Sequence, residues 1–162
     1  MDPAHDLPLP DDRTGTPDRL RTLPSRLLSL TGAHADRMVT GRLAKADARK
    51  WHYAVLAVLE AYGPASQATL SRRTGVYRSD LVAVINELSA RGLVERAPDP
   101  EDRRRNVITL TERGGVRLRH LDTVLDAVQD DILAPLDQPE RAELTRLLGR
   151  LLDHHAGSGQ QP

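Results

Sequence analysis

The chain has 162 residues, with 23 Lys+Arg against 23 Asp+Glu, 39% hydrophobic residues, no cysteine and no phenylalanine. That length suits about one domain, and no apolar run approaches the ~20 residues that a membrane-spanning helix needs. The missing cysteine excludes disulfide scaffolds, Cys-based zinc sites, thiol nucleophiles and thiol redox switches.

Four aromatic residues, Trp51, Tyr53, Tyr62 and Tyr77, are few for a protein that reads single strands by stacking. The start of the chain has neither a basic n-region nor an apolar h-region, so no secretion signal is expected. Overall neutrality hides an uneven spread. Residues 1–19 carry two basic and five acidic groups, residues 20–63 seven and three, residues 64–113 nine and seven, and residues 114–162 five and eight. A basic middle between acidic ends hints at a polyanionic partner.

Residues 1–19, with four prolines and five aspartates, read as a disordered leader. The first helix is expected from Pro24, on a stripe of Leu20, Leu23, Leu27, Leu30 and Met38, fading near Gly41. Asp47 is expected to cap a second helix with Trp51, Val55, Val58, Leu59 and Tyr62 on one face, ended by Gly63-Pro64. Ser66 is an N-cap candidate for a short third helix to Arg73, stopped at Gly75. A fourth helix over 78–91 places Leu81, Val84, Ile85 and Leu88 inward, and Gly92 occupies a C′ position.

Then the period changes. Leu93–Arg96 and Val107–Leu110 are β-prone runs flanking a charged loop, 97–106. Thr111 is expected to cap a long helix carrying Leu118, Leu121, Leu125, Val128 and Ile132, which Pro135 stops. Asp137-x-x-Glu140 resembles a capping box for a last helix with Leu144, Leu147, Leu148, Leu151 and Leu152.

Two short helices joined at a glycine turn and followed by a charged hairpin describe a winged helix-turn-helix. The fold class expected is mainly α with a small β-hairpin wing. The first helix of the pair braces the second, whose N-terminal residues meet base edges in the major groove, while the hairpin can put a cation into the minor groove. The outward face of the second helix is Tyr77, Arg78, Ser79, Val82 and Ala83, with Asn86 one turn on. Arg78 suits a bidentate contact to guanine or a phosphate contact. Ser71, Arg72 and Arg73 can hold phosphates. Arg103, Arg104 and Arg105 sit at the wing, with Asp99 and Asp102 close enough to orient one of them.

The segments Gly75–Val94 and Asp99–Thr111, above all Leu88-x-x-x-Gly-Leu-Val94 and Asp102-x-Arg104-x-x-x-x-x-Leu110-Thr111, resemble the MarR family of bacterial transcription regulators. The resemblance covers roughly residues 23–155. It implies a homodimer whose first and last helices pair between subunits, with Arg104 entering the minor groove and Asp102 holding it. It also suggests a small, often aromatic or anionic, effector between the dimerisation helices and the winged domain, for which Arg26, His34, Arg37, Met38, Trp51 and His52 are candidates. Asp80 and Glu87 depart from the usual pattern, in which Ser or Thr and a basic residue are common. Asp80 is then either a helix-stabilising residue or an acceptor for a cytosine amine. Without cysteine, a thiol-based peroxide sensor is excluded.

The organisation expected is a leader (1–19), an N-terminal dimerisation helix (20–46), a winged helix-turn-helix (47–112), C-terminal dimerisation helices (113–156) and a flexible tail (157–162). The leucine stripes outside the winged segment exceed what it can cover, which also points to a homodimer. The function expected is a double-stranded DNA-binding regulator in the bacterial cytoplasm, nucleoid-associated and not membrane-bound. It is expected to be a repressor released by a ligand and to bind a near-palindromic operator. No cofactor or metal is expected. The alternatives are a metal-responsive regulator using His120, Asp122, His154 and His155, or a winged-helix module that binds protein. No enzyme motif is present.

Overall fold

Proline at the first helical position removes an N–H that a helix would leave unpaired anyway, and the longest N-terminal helix begins at one. The computed structural model describes residues 15–158. A single turn, α1 (Asp18–Arg21), follows Pro17, and α2 runs from Pro24 to Lys45. Two expectations are corrected here. Asp18 and Arg19 belong to a helical turn, held by an Arg21–Asp18 ion pair, rather than to a leader. The helix also passes Gly41 and ends one turn later, because Leu43 is buried and extends the packed face. The rest of the expected leader, residues 1–14, lies outside the described residues.

Helix α3 spans Lys50–Tyr62 and is not capped by Asp47. Asp47 sits in the connecting turn with φ +52°, a left-handed conformation that aspartate tolerates better than most residues. The N-cap position belongs to Arg49, whose backbone N–H donates to His52 Nδ1 at 3.2 Å. His52 thus fills the N3 role that Glu or Gln plays in a capping box.

The helix pair follows. β1 (Ala65–Ser66) leads into α4 (Gln67–Thr74), and Ser66 Oγ accepts from the Thr69 N–H at 3.2 Å, as expected of an N-cap. After the turn at Gly75 comes α5 (Arg78–Ala90). Its end is a complete Schellman motif: Leu93 N–H reaches Leu88 O at 2.9 Å and Gly92 N–H reaches Ser89 O at 2.9 Å. Gly92 stands at φ +68°, where a side chain would be strained. Leu88 and Leu93 are both buried and supply the motif's apolar contact.

The wing is β2 (Val94–Pro98) and β3 (Asn106–Leu110), antiparallel with Val94 opposite Leu110 and Pro98 opposite Asn106. The strands are longer than expected, taking in Ala97, Pro98 and Asn106, so the loop shrinks to residues 99–105. β1 pairs with β3 on its other side, giving the order β1-β3-β2. A two-residue strand carries no readable period, so the sequence pattern missed it.

Thr111 then caps α6 (Glu112–Ile132). Its Oγ1 accepts from Gly114 N–H at 2.9 Å and donates to Gly92 O at 2.8 Å. A Cβ on Gly114 would overlap the Leu93 carbonyl oxygen, so the helix can lie against the wing only with glycine there. The core of this unit joins Leu43, Val55, Leu56, Leu59, Leu70, Leu81, Val84, Ile85, Leu88, Ile108, Leu118 and Leu121.

The chain divides into two compact units, residues 1–128 and 129–162. The second unit, described to residue 158, contains the end of α6 and α7 (Gln138–Ser158). Asp137 and Glu140 exchange reciprocal 2.9 Å bonds, the capping box expected there. The helix runs past His154 and His155, so residues 157–158 are helical rather than part of a tail.

Candidate nucleic-acid interface

Helix α5 is two-faced as its sequence requires. Leu81, Val84, Ile85 and Leu88 are buried, while Tyr77, Arg78, Ser79, Asp80, Val82, Ala83 and Asn86 are exposed. Exposed Val82 and Tyr77 have no core role, which leaves them free to meet an outside partner. Ser79 Oγ and Asp80 Oδ1 are 3.5 Å apart, and Asp80 lies in the first turn of the helix, where a carboxylate is favoured.

Among the described residues the guanidinium groups of Arg72, Arg78, Arg103 and Arg104 have no hydrogen-bond or ion-pair partner. Arg78 and Arg105 line one open cleft of ≈470 Å³ with Ser66, Gln67, Ala68 and Asn106. The start of α4, the start of α5 and the wing therefore meet around a shared groove. Sequence reading missed Ser66, Gln67, Ala68 and Asn106, because nothing in a linear pattern says that the β1–α4 junction faces the wing.

Several expected DNA contacts carry structural duties instead. Ser71 donates its one hydroxyl proton to Val76 O at 2.6 Å, bracing the turn. Phosphate only accepts, so Ser71 has no proton left for it. Arg73 lies over the Tyr62 ring at 4.1 Å, a cation–π contact that still leaves its edge open. Asn86 Oδ1 accepts from Arg96 at 2.6 Å, tying α5 to β2. Asp102 does not hold the Arg104 guanidinium. Its Oδ1 accepts from the Arg104 backbone N–H at 3.1 Å, and its ion pair is with Arg105 at 3.5 Å. The wing turn is thus closed through the backbone, with Arg105 N–H to Asp102 O at 2.9 Å and Asp99 N–H to Arg105 O at 2.8 Å.

Beneath α5 lies a polar node. His52 is only 4% exposed. Its Nδ1 accepts from Arg49, so Nε2 carries the proton and donates to Glu87 Oε2 at 2.9 Å. Burial, opposed by the bond to Glu87, holds the His52 pKa below its ordinary value and keeps the ring neutral. Glu87 also takes an ion pair from Arg49, and that bond, followed by the one from His52, lowers its carboxyl pKa. The acidic residue that departs from the family pattern thus joins α5 to the start of α3.

The expected effector residues lie on α2 and in the first turn of α3. Trp51, placed on the inward face by its spacing, is 42% exposed. The helix instead turns His52, Val55, Leu56 and Leu59 inward, because a fully bonded histidine can occupy a core position. His52, expected as a ligand residue, has both ring nitrogens committed within the protein. On α2, Arg26 reaches Leu20 O at 3.5 Å, His34 and Met38 are half-buried, and Arg37 is exposed. Of the residues named for the metal-responsive alternative, Asp122 accepts the Tyr53 hydroxyl at 2.9 Å, and the His154 and His155 rings pack edge to face. Among the described residues no group of three or more His, Asp or Glu side chains is placed to hold a metal, and no helix is long and apolar enough to cross a membrane.

A family model described as MarR family matches residues 47–105. The HTH-type transcriptional repressor NicR of Pseudomonas putida is 31% identical over 107 residues, covering 66% of this chain and 68% of NicR. The chain belongs to the MarR family. Among solved MarR-type structures, the PcaV transcriptional regulator of Streptomyces coelicolor, in complex with its natural ligand, is 29% identical. It has a TM-score of 0.71, covering 86% of this chain and 97% of PcaV. A mutant MarR of E. coli complexed with operator DNA is 22% identical, with a TM-score of 0.70, covering 85% of this chain and 99% of that one. The winged-helix fold and membership in a family of transcription regulators follow for this chain.

Proposed function

We propose that this MarR protein is a cytoplasmic, nucleoid-associated repressor that binds a near-palindromic operator in double-stranded DNA as a homodimer and is released by a small aromatic or anionic effector. The observation that carries the reading is the convergence of Arg78, at the tip of α5, and Arg105, of the wing, on one groove, with Arg72, Arg78, Arg103 and Arg104 unpartnered among the described residues. Cations left unpaired by the protein are available to phosphates and to guanine edges. Tyr77, Ser79, Asp80, Val82 and Ala83 would face the bases. Asn86, already bonded to Arg96, would act by holding the wing strand.

Homodimerisation is supported by leucines left in water. Leu23, Leu27 and Leu28 on or beside α2, and Leu147, Leu151 and Leu152 on α7, are all exposed. Apolar faces of that kind mark interfaces. The relatives support the regulatory part of the reading: NicR is named a repressor, PcaV was solved with a natural ligand, and MarR of E. coli was solved on operator DNA.

The test is selection of bound DNA from a random duplex pool, repeated with Arg104→Ala. The parent should enrich an inverted repeat with half-sites about 10 bp apart. Its affinity should fall with salt at a log–log slope of about −0.9 per phosphate neutralised. Arg104→Ala should bind more weakly and lose flanking A/T preference. No enrichment by the parent, or a strictly monomeric parent in solution, would overturn the proposal.

A further inference from the structure

The outward side of α5 is as regular as its inward side. Leu81, Val84, Ile85 and Leu88 follow the i, i+3, i+4, i+7 template. So do Ser79, Val82, Ala83 and Asn86, displaced by two residues and therefore turned about 200° away. All four of this second set are exposed. Its ends are polar: Ser79 Oγ lies 3.5 Å from Asp80 Oδ1, and Asn86 Oδ1 accepts from Arg96. Its middle, Val82 and Ala83, carries no side-chain donor or acceptor.

Val82 needs a reason to stand there. It is 42% exposed and takes no part in the core. A β-branched residue is a poorer helix former than Ala, Glu or Lys, and no packing within the chain offsets that cost. Ala83 beside it is small, which lets an outside surface approach Val82 closely. Arg78 stands one turn before Val82, its guanidinium without a partner among the described residues. A cation next to an apolar pair matches the major groove of a duplex, which offers phosphates at its rims and thymine methyl groups on its floor.

We infer that Val82, supported by Ala83, selects thymine in each half-site through the C5 methyl group. That methyl is the one apolar feature that the four base pairs show in the major groove. A side chain without donor or acceptor gains there only by covering it. Set against a cytosine amine or a guanine oxygen, the same pair would strip water from a polar group and leave it unpaired. Val82 therefore also disfavours G·C pairs at that position. This selection rests on the DNA-binding reading above.

Deoxyuridine scanning of the selected operator tests it. Each thymine is replaced in turn, in both half-sites, by deoxyuridine, which keeps the base pairing and removes only the C5 methyl. That methyl lies in the major groove, so a wing cation in the minor groove is undisturbed. At one thymine position or more, the parent should lose about threefold to fivefold in affinity per methyl, hence about 10–25-fold for both half-sites. Val82→Ala should bind the thymine operator more weakly, and should prefer it to the uracil operator by no more than about twofold. Arg104→Ala, weakened through the other groove, should keep the parent's preference. No uracil-sensitive position in a parent that binds its operator overturns the thymine selection alone, as does undiminished sensitivity in Val82→Ala. Loss of the preference in Arg104→Ala also overturns it, since weak binding from any cause would then erase the signal. A parent that enriches no operator overturns the DNA-binding reading as well, so the two failures are separable.

Discussion

The winged segment and the last helix obey opposite rules. From Leu43 to Leu121 each helix turns at least one side chain fully into a common core, and even the polar His52 is buried with both nitrogens bonded. Along α7 no described side chain is buried, and Leu152 is 70% exposed although four leucines line its final turns. The first region buries a continuous core within one chain. The second has not, and an amphipathic helix left in this condition requires a second surface.

The sharpest way to break this contrast is to damage each side in turn. Ile85→Ala, in the middle of the core, should cost about 2–5 kcal/mol of unfolding free energy, whereas Leu151→Ala should leave the unfolding of dilute, dissociated chain almost unchanged. Chemical denaturation at low protein concentration separates them, and equal losses would erase the distinction. Leu147→Asp with Leu151→Asp should convert the proposed homodimer to monomer while circular dichroism keeps its helical content. Operator affinity should then drop by about 10²-fold or more, because the two half-sites are no longer linked. A double mutant that still sediments as the parent does would place the interface elsewhere.

Within the core region, Gly114→Ala should cost about 1–3 kcal/mol through overpacking against the Leu93 carbonyl. Gly149→Ala, in α7 with open space around it, should be neutral or slightly stabilising. Paired melting curves decide this.

The smallest expected effect concerns pH. His52 has a folded pKa below its ordinary 6.5, so between those two values the unfolded chain binds a proton that the native one refuses. Stability is therefore full above about pH 6.5 and falls as pH drops through the folded value. His52→Gln keeps an acceptor for the Arg49 N–H and removes the titration. Its melting temperature should vary less between pH 7 and pH 5 than the parent's, and an unchanged slope would show that His52 is not the titrating group.

Much of the fold was legible because its signals are local. Ser66, Gly92, Thr111 and the Asp137–Glu140 pair each work within a few residues of themselves, so a linear reading finds them. The inward face of α5 was equally plain, since four apolar residues at helical spacing leave one solution. The candidate interface was half legible. Arg78, Arg103 and Arg104 stand exposed as their positions suggest, but the roles of Ser71, Asn86 and Asp102 depended on neighbours up to ten residues away in sequence. The gathering of Asp47, Arg91 and Arg113 around one cleft had no signal in the chain, because a cleft is built from separated segments.

By itself, then, the sequence determined the order of helices, their caps, the inward face of α5 and the basic wing, because periodicity and capping act over one or two turns. Only the tertiary structure decided that His52 rather than Trp51 faces the core, that Glu87 joins α5 to the start of α3, and that Arg91, Arg113 and Arg117 line one cleft with Asp47. Those outcomes turn on which partner lies across the packing interface, and desolvation and hydrogen-bond satisfaction there outweigh what any short stretch of sequence prefers.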